Sequence, residues 1–387
     1  MLELERCVKG HLESLISEII TLTEYAGPPT THSTQSTCWS TNTEEVNVAL
    51  TVIKAAGASI NDGVTRFNLV YKSTPGEAAS ESMAKEMGGF CQQMVSSLTV
   101  LSSVGASKAM VSYFSGGVRA VLHTFKDVVQ ALLDPSRHAS LNSLTGMVWQ
   151  ACTELQRAPK TNKLACRRQM MQWSVAVKDT IDEFQEAATT AAAANDENGE
   201  GSDSHPEGAQ LAGGLEGKFD GLGLDSEGPG GADEFDLDDM DTNYSPPELR
   251  CVDASVGILR VFRRCLKAAN DSFNTLDSAE GSKCDAADTK GEDWLSRRLK
   301  WGGALQTCLD EANDCAGELG ILLYPPLNGS DLLKRADDLE RTLTAFCDAF
   351  GASEGSGGED GGGTGQAPLR TAIEEKMGVL RAELLRM

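Results

Sequence analysis

Residues 46–71 read VNVALTVIKAAGASINDGVTRFNLVY. Val46, Leu50, Ile53, Gly57, Ile60, Val64, Phe67 and Tyr71 recur in alternating steps of four and three. A strand repeats every two residues, so this spacing excludes one. A mean period of 3.5 residues winds a narrow apolar seam along a helix. Helices with such seams pack about 20° off antiparallel in left-handed bundles.

The same pattern extends outward on both sides. Upstream, Val8, Leu12, Leu15, Ile19 and Leu22 keep it. Downstream come Met83, Met87, Phe90, Met94, Ser97, Leu101 and Val104, then Val111, Phe114, Val118, Val121, Phe125, Val128 and Leu132. Gly27-Pro28-Pro29, Thr74-Pro75-Gly76, Gly105 and Asp134-Pro135 separate these segments, as residues that interrupt helices should. Two more helices are expected over about 140–157 and 161–190, the second burying Met170, Trp173, Val177, Ile181 and Phe184. Residues 1–194 therefore read as a six-helix bundle.

A second helical block is expected over 247–387. Ser245-Pro246-Pro247 opens its first helix, which should run to about Asp277. Trp301, Leu305, Cys308, Ala312, Cys315, Leu319 and Leu322 mark the next, and Leu332, Ala336, Leu339, Leu343, Phe346 and Phe350 a third. After a Gly-rich loop at 351–366, Leu369, Ile373, Met377, Leu380 and Leu384 mark the last. Four helices suggest a four-helix bundle, or helices docking back onto the first block. The fold class is all-α, two helical-bundle blocks with heptad-like packing.

Between the blocks lies an acidic, Gly-rich connector, 195–246. Its stretch 195–241 holds fifteen Asp or Glu against one lysine, Lys218. So charged a segment, with so few large apolar side chains, is expected to stay disordered, because it cannot offset the entropy of ordering. The chain carries a net charge of −23. The flanking blocks contribute only −2 and −7 of it, so the acidity belongs mostly to the connector.

Composition excludes several classes of function. A pI near 4.6 disfavours direct nucleic-acid binding, in which Lys and Arg clusters must neutralise the phosphate backbone. No run approaches a membrane span and no signal-peptide profile opens the chain, so a soluble intracellular protein is expected. Eleven cysteines show no Cys-x-x-Cys pair or matching histidines, which disfavours a disulfide framework or a zinc site. His11, His32, His123, His138 and His205 are scattered and pair with no candidate nucleophile. No catalytic, cofactor or metal residue is assigned, and the protein is expected not to be an enzyme. The 357–363 glycines are interrupted by Glu359 and Asp360, with no Gly-Lys-Ser/Thr to make a phosphate loop. Cys308 and Cys315 read as small apolar core residues, and Met83, Met87 and Met94 as core rather than a pliable binding stripe. Arg-x-Leu patterns at 297–299 and 341–343 fall in or beside helices, where the leucine should be buried.

Two features suggest binding. Arg260, Arg263, Arg264 and Lys267 share one helix face, either a plain solvated face or a docking surface for an acidic partner. In the connector, Phe235, Leu237 and Met240 stand among acids from Asp233 to Asp241. Such a segment is either a solubilising linker or one able to dock on a basic, apolar surface. Only about nineteen residues separate Asp241 from Arg260, so this segment is expected to be able to shade that cationic face.

Several motifs also resemble a known family. Val148-Trp149-Gln150-Ala151-Cys152, Pro159-Lys160-Thr161-Asn162-Lys163, a helix ending Phe184-Gln185-Glu186-Ala187, an acidic insert, Cys265-Leu266-Lys267 and Leu323-Tyr324-Pro325-Pro326 occur in that order. This arrangement is similar to the cyclin-D-interacting (cyclin-D-binding) protein family. The 351–366 loop departs from the family's pattern. The resemblance implies an all-helical, non-enzymatic protein of nucleus and cytoplasm. It would bind D-type cyclins and helix-loop-helix regulators and restrain cell-cycle progression and transcription. It transfers no contact residue. From the heptads alone, a structural adaptor like the vinculin and α-catenin helical bundles stays open as the alternative.

Overall fold

A computed structural model of the protein describes residues 2–25, 43–73, 78–197, 244–280, 290–351 and 366–387. All its α and 3-10 elements are helical; among the described residues there is no strand. The helices, in chain order, are α1 Leu2–Tyr25, α2 Thr43–Ser73, α3 Ala78–Ser103, α4 Lys108–Leu133, α5 Leu141–Gln156, α6 Asn162–Glu197, α7 Pro246–Glu280, α8 Lys290–Ile321, α9 Gly329–Gly351 and α10 Gln366–Leu384. A short 3-10 helix, Pro135–Ser140, bridges α4 and α5. The all-α expectation holds.

Local signals set the helix ends. Gly105 adopts φ 84°, a left-handed conformation that suits glycine, between α3 and α4. The Ser107 side chain then accepts from the Met110 amide and caps α4. Asp134 caps the 3-10 helix through the Ser136 amide. At the start of α7, Ser245 and Glu248 form a capping box, with the Glu248 carboxylate accepting from both the Ser245 amide and hydroxyl.

The expected seams are buried in α2, α4 and α9, down to Ile53, Ile60, Val64, Phe114, Phe125, Leu339 and Phe346 at 0% exposure. In α3 and α8 alternate positions of the expected seam are buried as expected (Met87, Met94 and Leu101; Leu305, Ala312 and Leu319), while the positions between them are replaced by the next residue. Ala84, Met87, Cys91, Met94, Leu98 and Leu101 are buried in α3, leaving Met83 and Phe90 partly covered. In α8 the buried apolar side chains are Leu305, Leu309, Ala312, Ala316 and Leu319, with Leu323 buried just past the helix end. Cys308 and Cys315 thus lie at the edge of the core, not within it. Both helices make close contacts on the buried side. A Cβ on Gly88 would meet Leu15 of α1 at 3.3 Å, and one on Gly320 would meet Thr180 of α6 at 3.3 Å. In α3 close approach selects the face of Ala84 and Gly88, and the larger Met83 and Phe90 flank it.

Chain order and packing divide the helices differently. Among the described residues six α-helices precede the connector and four follow it, but α6 packs chiefly on α7, its neighbour across residues 198–243. Helices α1 to α5 form one five-helix layer, with α2 on α3 and α4 on α5. Helices α6 to α10 form the other, in which α10 closes on α7 and α9. Helix α6 also runs to Glu197, past the expected boundary at residue 194. Helix α4 meets α6, and their junction is polar. The Ser107 amide donates to Asn162 Oδ1 at 2.7 Å, Tyr113 donates to Gln172 at 2.9 Å, and Lys108 pairs with Asp310 of α8 at 3.6 Å.

Candidate partner-binding surface

The surface is built on the α6–α7 pair. Arg167 Nε donates to Asn270 Oδ1 at 3.0 Å, and Arg263 Nε reaches Ser174 Oγ at 3.4 Å. Positions 167 and 174 rise as 270 and 263 fall, so the two helices run antiparallel. Of the four cations expected to share a face of α7, Arg263 and Lys267 border α6. Lys267 lines a shallow depression with Met170, Met171 and Ser174. Arg260 and Arg264 are exposed. Among the described residues Arg260, Arg264 and Lys267 form no ion pair. Phe235, Leu237 and Met240 lie outside the described residues.

The sequence reading missed the other half of this surface. Residues 157–178 hold six cations (Arg157, Lys160, Lys163, Arg167, Arg168 and Lys178) and no acid. Residues 254–270 on α7 hold four more and again no acid. That segmental bias was available in the sequence, but averaging charge over the whole first block hid it. Only the antiparallel pairing shows that the two basic runs lie side by side.

Part of this charge has structural work. Lys54 of α2 donates from Nζ to the carbonyls of Gln156 and Ala158 at 2.9 and 3.0 Å, and stands 5.7 Å from the centre of the Phe114 ring. Arg168 donates to the Arg157 carbonyl at 3.0 Å. Both cations satisfy carbonyls at the end of α5, where the helix dipole favours positive charge. Burial lowers the Lys54 pKa, and the nearby charges of Lys160 and Arg168 lower it further. The cations are therefore close enough to repel one another.

An open groove of about 410 Å³ lies on the α4 side of α6. Ala109, Gly116, Gly117 and Leu155 give it an apolar floor, and Arg157, Arg168 and Gln172 form part of its rim. A Cβ on Gly116 would meet nothing within 4 Å, so the floor is open there. Among the described residues Glu154 is the only acid lining the groove, and it is paired with Arg157 at 2.9 Å.

The family-like motifs hold the frame of this surface. Val148 and Cys152 are buried, while Trp149 is exposed along one edge and donates from Nε1 to the Asn61 carbonyl at 3.2 Å. Asn162 ties the start of α6 to that of α4. Tyr324 donates to Glu183 of α6 and packs edge-on against Phe184 at 5.2 Å. Tyr244 donates to the Leu323 carbonyl at 3.0 Å. Among the described residues, no group of three or more His, Cys, Asp or Glu is placed to hold a metal ion. Burial raises the pKa of the Cys152 thiol to about 12 and pushes up those of Cys308 and Cys315, which opposes thiolate chemistry there. No described helix is long and apolar enough to cross a membrane.

These features define an all-helical protein with a cationic, partly apolar surface in a strongly acidic chain. Residues 52–190, from α2 into α6, match the family described as Grap2 and cyclin-D-interacting, N-terminal. The resemblance seen in the motifs is thereby shown over that segment, which includes the whole basic run 157–178. No curated protein matches the chain.

Proposed function

We propose that the protein is a non-enzymatic regulatory binding protein that captures D-type cyclins or helix-loop-helix factors. In this role it restrains cell-cycle progression and transcription, acting in cytoplasm and nucleus. The observation that carries the reading is the family match over residues 52–190, which covers the α6 half of the cationic surface, 157–178, and not the α7 half. Of the ten cations of 157–178 and 254–270, Arg157 and Lys178 pair with Glu154 and Asp182 just outside their segments. Arg260, Arg264 and Lys267 form no ion pair among the described residues. Such a surface steers and orients an acidic partner.

The test is affinity purification of the tagged full-length chain from cells, followed by mass spectrometry and titration of the purified partners. The expected result is recovery of a D-type cyclin or a helix-loop-helix protein that binds directly. Recovery of cytoskeletal proteins alone would overturn the reading in favour of a structural adaptor.

A further inference from the structure

The outward face of α6 carries an apolar stripe that the core does not use. Leu164, Met171 and Val175 fall at i, i+7 and i+11, which aligns them on one side of the helix. Leu164 is 44% and Val175 56% exposed, and Met171 is half-buried. Single exposed apolar side chains are ordinary; these three are aligned and flanked by positive charge on both sides. Toward α4 and α5, Arg157 and Arg168 border the open groove. Toward α7, Lys267 stands beside Met171 in the shallow depression, and Arg263 reaches Ser174. Arg260 lies one turn before them, exposed and unpaired among the described residues.

We propose that this face of α6 is a docking site for an acidic amphipathic helix of a partner protein. The assignment rests on the proposed binding function and names the chemistry that this function recognises. From Leu164 to Val175 the stripe is about 16 Å long at 1.5 Å per residue, which matches about three turns of an opposing helix. A helix with apolar side chains at i, i+4, i+7 and i+11 covers the stripe along its length. Acids on its two shoulders then reach Arg157 and Arg168 on one side and Arg260, Arg263 and Lys267 on the other. A basic or neutral helix of the same apolar pattern is repelled, or leaves these cations desolvated without partners.

The chain itself holds a chemically similar segment, Asp233 to Asp241, whose acids alternate with Phe235, Leu237 and Met240. Self-occupancy is therefore an outcome that the test must separate.

The experiment uses fluorescence anisotropy on the full-length chain. The probe is a labelled synthetic peptide with leucines at i, i+4, i+7 and i+11 and glutamates between them. Its control is a scrambled peptide of the same composition. The ordered peptide is expected to bind at least about tenfold more tightly than the scrambled one. Val175→Asp and Arg260→Glu should each weaken binding by about tenfold, the equivalent of about 1.4 kcal/mol, while Lys85→Glu on α3 leaves it unchanged. Val175 and Arg260 are exposed, so neither substitution threatens folding, and circular dichroism verifies that. Equal binding of ordered and scrambled peptides, or wild-type affinity in both variants, overturns the proposal. So does a probe that binds only after the Asp and Glu of 198–241 are changed to Asn and Gln, since the chain's own segment is then the occupant. A cell-derived cyclin or helix-loop-helix partner recovered undiminished by both variants overturns this surface and leaves the proposed function standing. If cytoskeletal proteins alone are recovered while the probe behaves as expected, the surface stands and the proposed function falls.

Discussion

Glu248 joins two backbone segments, the start of α7 and the turn at Leu327, through one carboxylate. Its oxygens accept from the Ser245 amide, the Ser245 hydroxyl and, at 2.9 Å, the Leu327 amide that follows Tyr324-Pro325-Pro326. Burial alone would raise its pKa, but the hydrogen bonds from Leu327 and Ser245 outweigh that and hold it below the usual carboxylate value. A folded pKa below the unfolded one means that the carboxylate stabilises the fold above the unfolded value, about 4.3. That contribution disappears as pH falls through the folded value. Glu248→Gln keeps an acceptor but removes the charge, so it should cost about 1 kcal/mol at neutral pH, the difference between a charged and a neutral hydrogen-bond acceptor, and flatten the acid limb of the stability curve. Denaturant titrations of both proteins at neutral and acidic pH check this, and parallel acid limbs would refute the linkage. The Ser-x-x-Glu spacing was legible in the sequence as a helix start. The amide of Leu327, seventy-nine positions away, was not, because that contact depends on how α8 and α9 turn against α7.

At the scale of the helix, large apolar residues made the periodicity legible, but in α3 small ones decided which positions are buried. The α2 seam included Gly57, and the structure supplies the reason for a glycine there. Leu155 of α5 wedges between α2 and α4, so a Cβ on Gly57 would meet its Cδ2 at 3.0 Å and one on Gly117 its Cδ1 at 2.8 Å. Hydrophobicity ranks Met83 and Phe90 above Ala84 and Gly88, and thus displaced alternate positions of the expected α3 seam by one residue. In α8 the shift does not follow size: Leu309 is buried in place of Cys308 and Ala316 in place of Cys315, while Ala312 is buried as expected. The Leu155 wedge makes a specific demand on Gly117. Gly117→Val should destabilise by about 1–3 kcal/mol through overpacking. Adding Leu155→Ala should recover part of that loss, so the double variant loses less than the sum of the singles. Strict additivity in thermal or chemical unfolding would show that α5 yields without strain.

For the whole molecule, the connector is a break in chain composition and not in packing. Its acidity and the helical pattern on each side were legible, and they suggested blocks of six and four helices. Long-range pairing was not legible, so the sequence did not show that α6 crosses into the second layer. Nor did it show that the basic run of α6 adjoins Arg263 and Lys267 of α7. The partition has a measurable consequence. Helix α6 buries Met170, Val177, Ile181 and Phe184 in packing to which α7 is the main contributor. Baring these four side chains costs roughly 6–12 kcal/mol at about 1.5–3 kcal/mol each, before the matching face of α7 is counted. A micromolar complex needs about 8 kcal/mol. A full-length chain given a specific protease site within 198–243 and then cut there should elute as one species at micromolar concentration, with its helical circular dichroism intact. Two independent domains joined only by a tether would separate on cleavage. Separate elution of the two pieces would therefore return α6 to the first block and part the two halves of the proposed docking surface. Co-elution lost on introducing Phe184→Ala or Ile181→Ala would locate the adhesion in the α6 face that the structure buries.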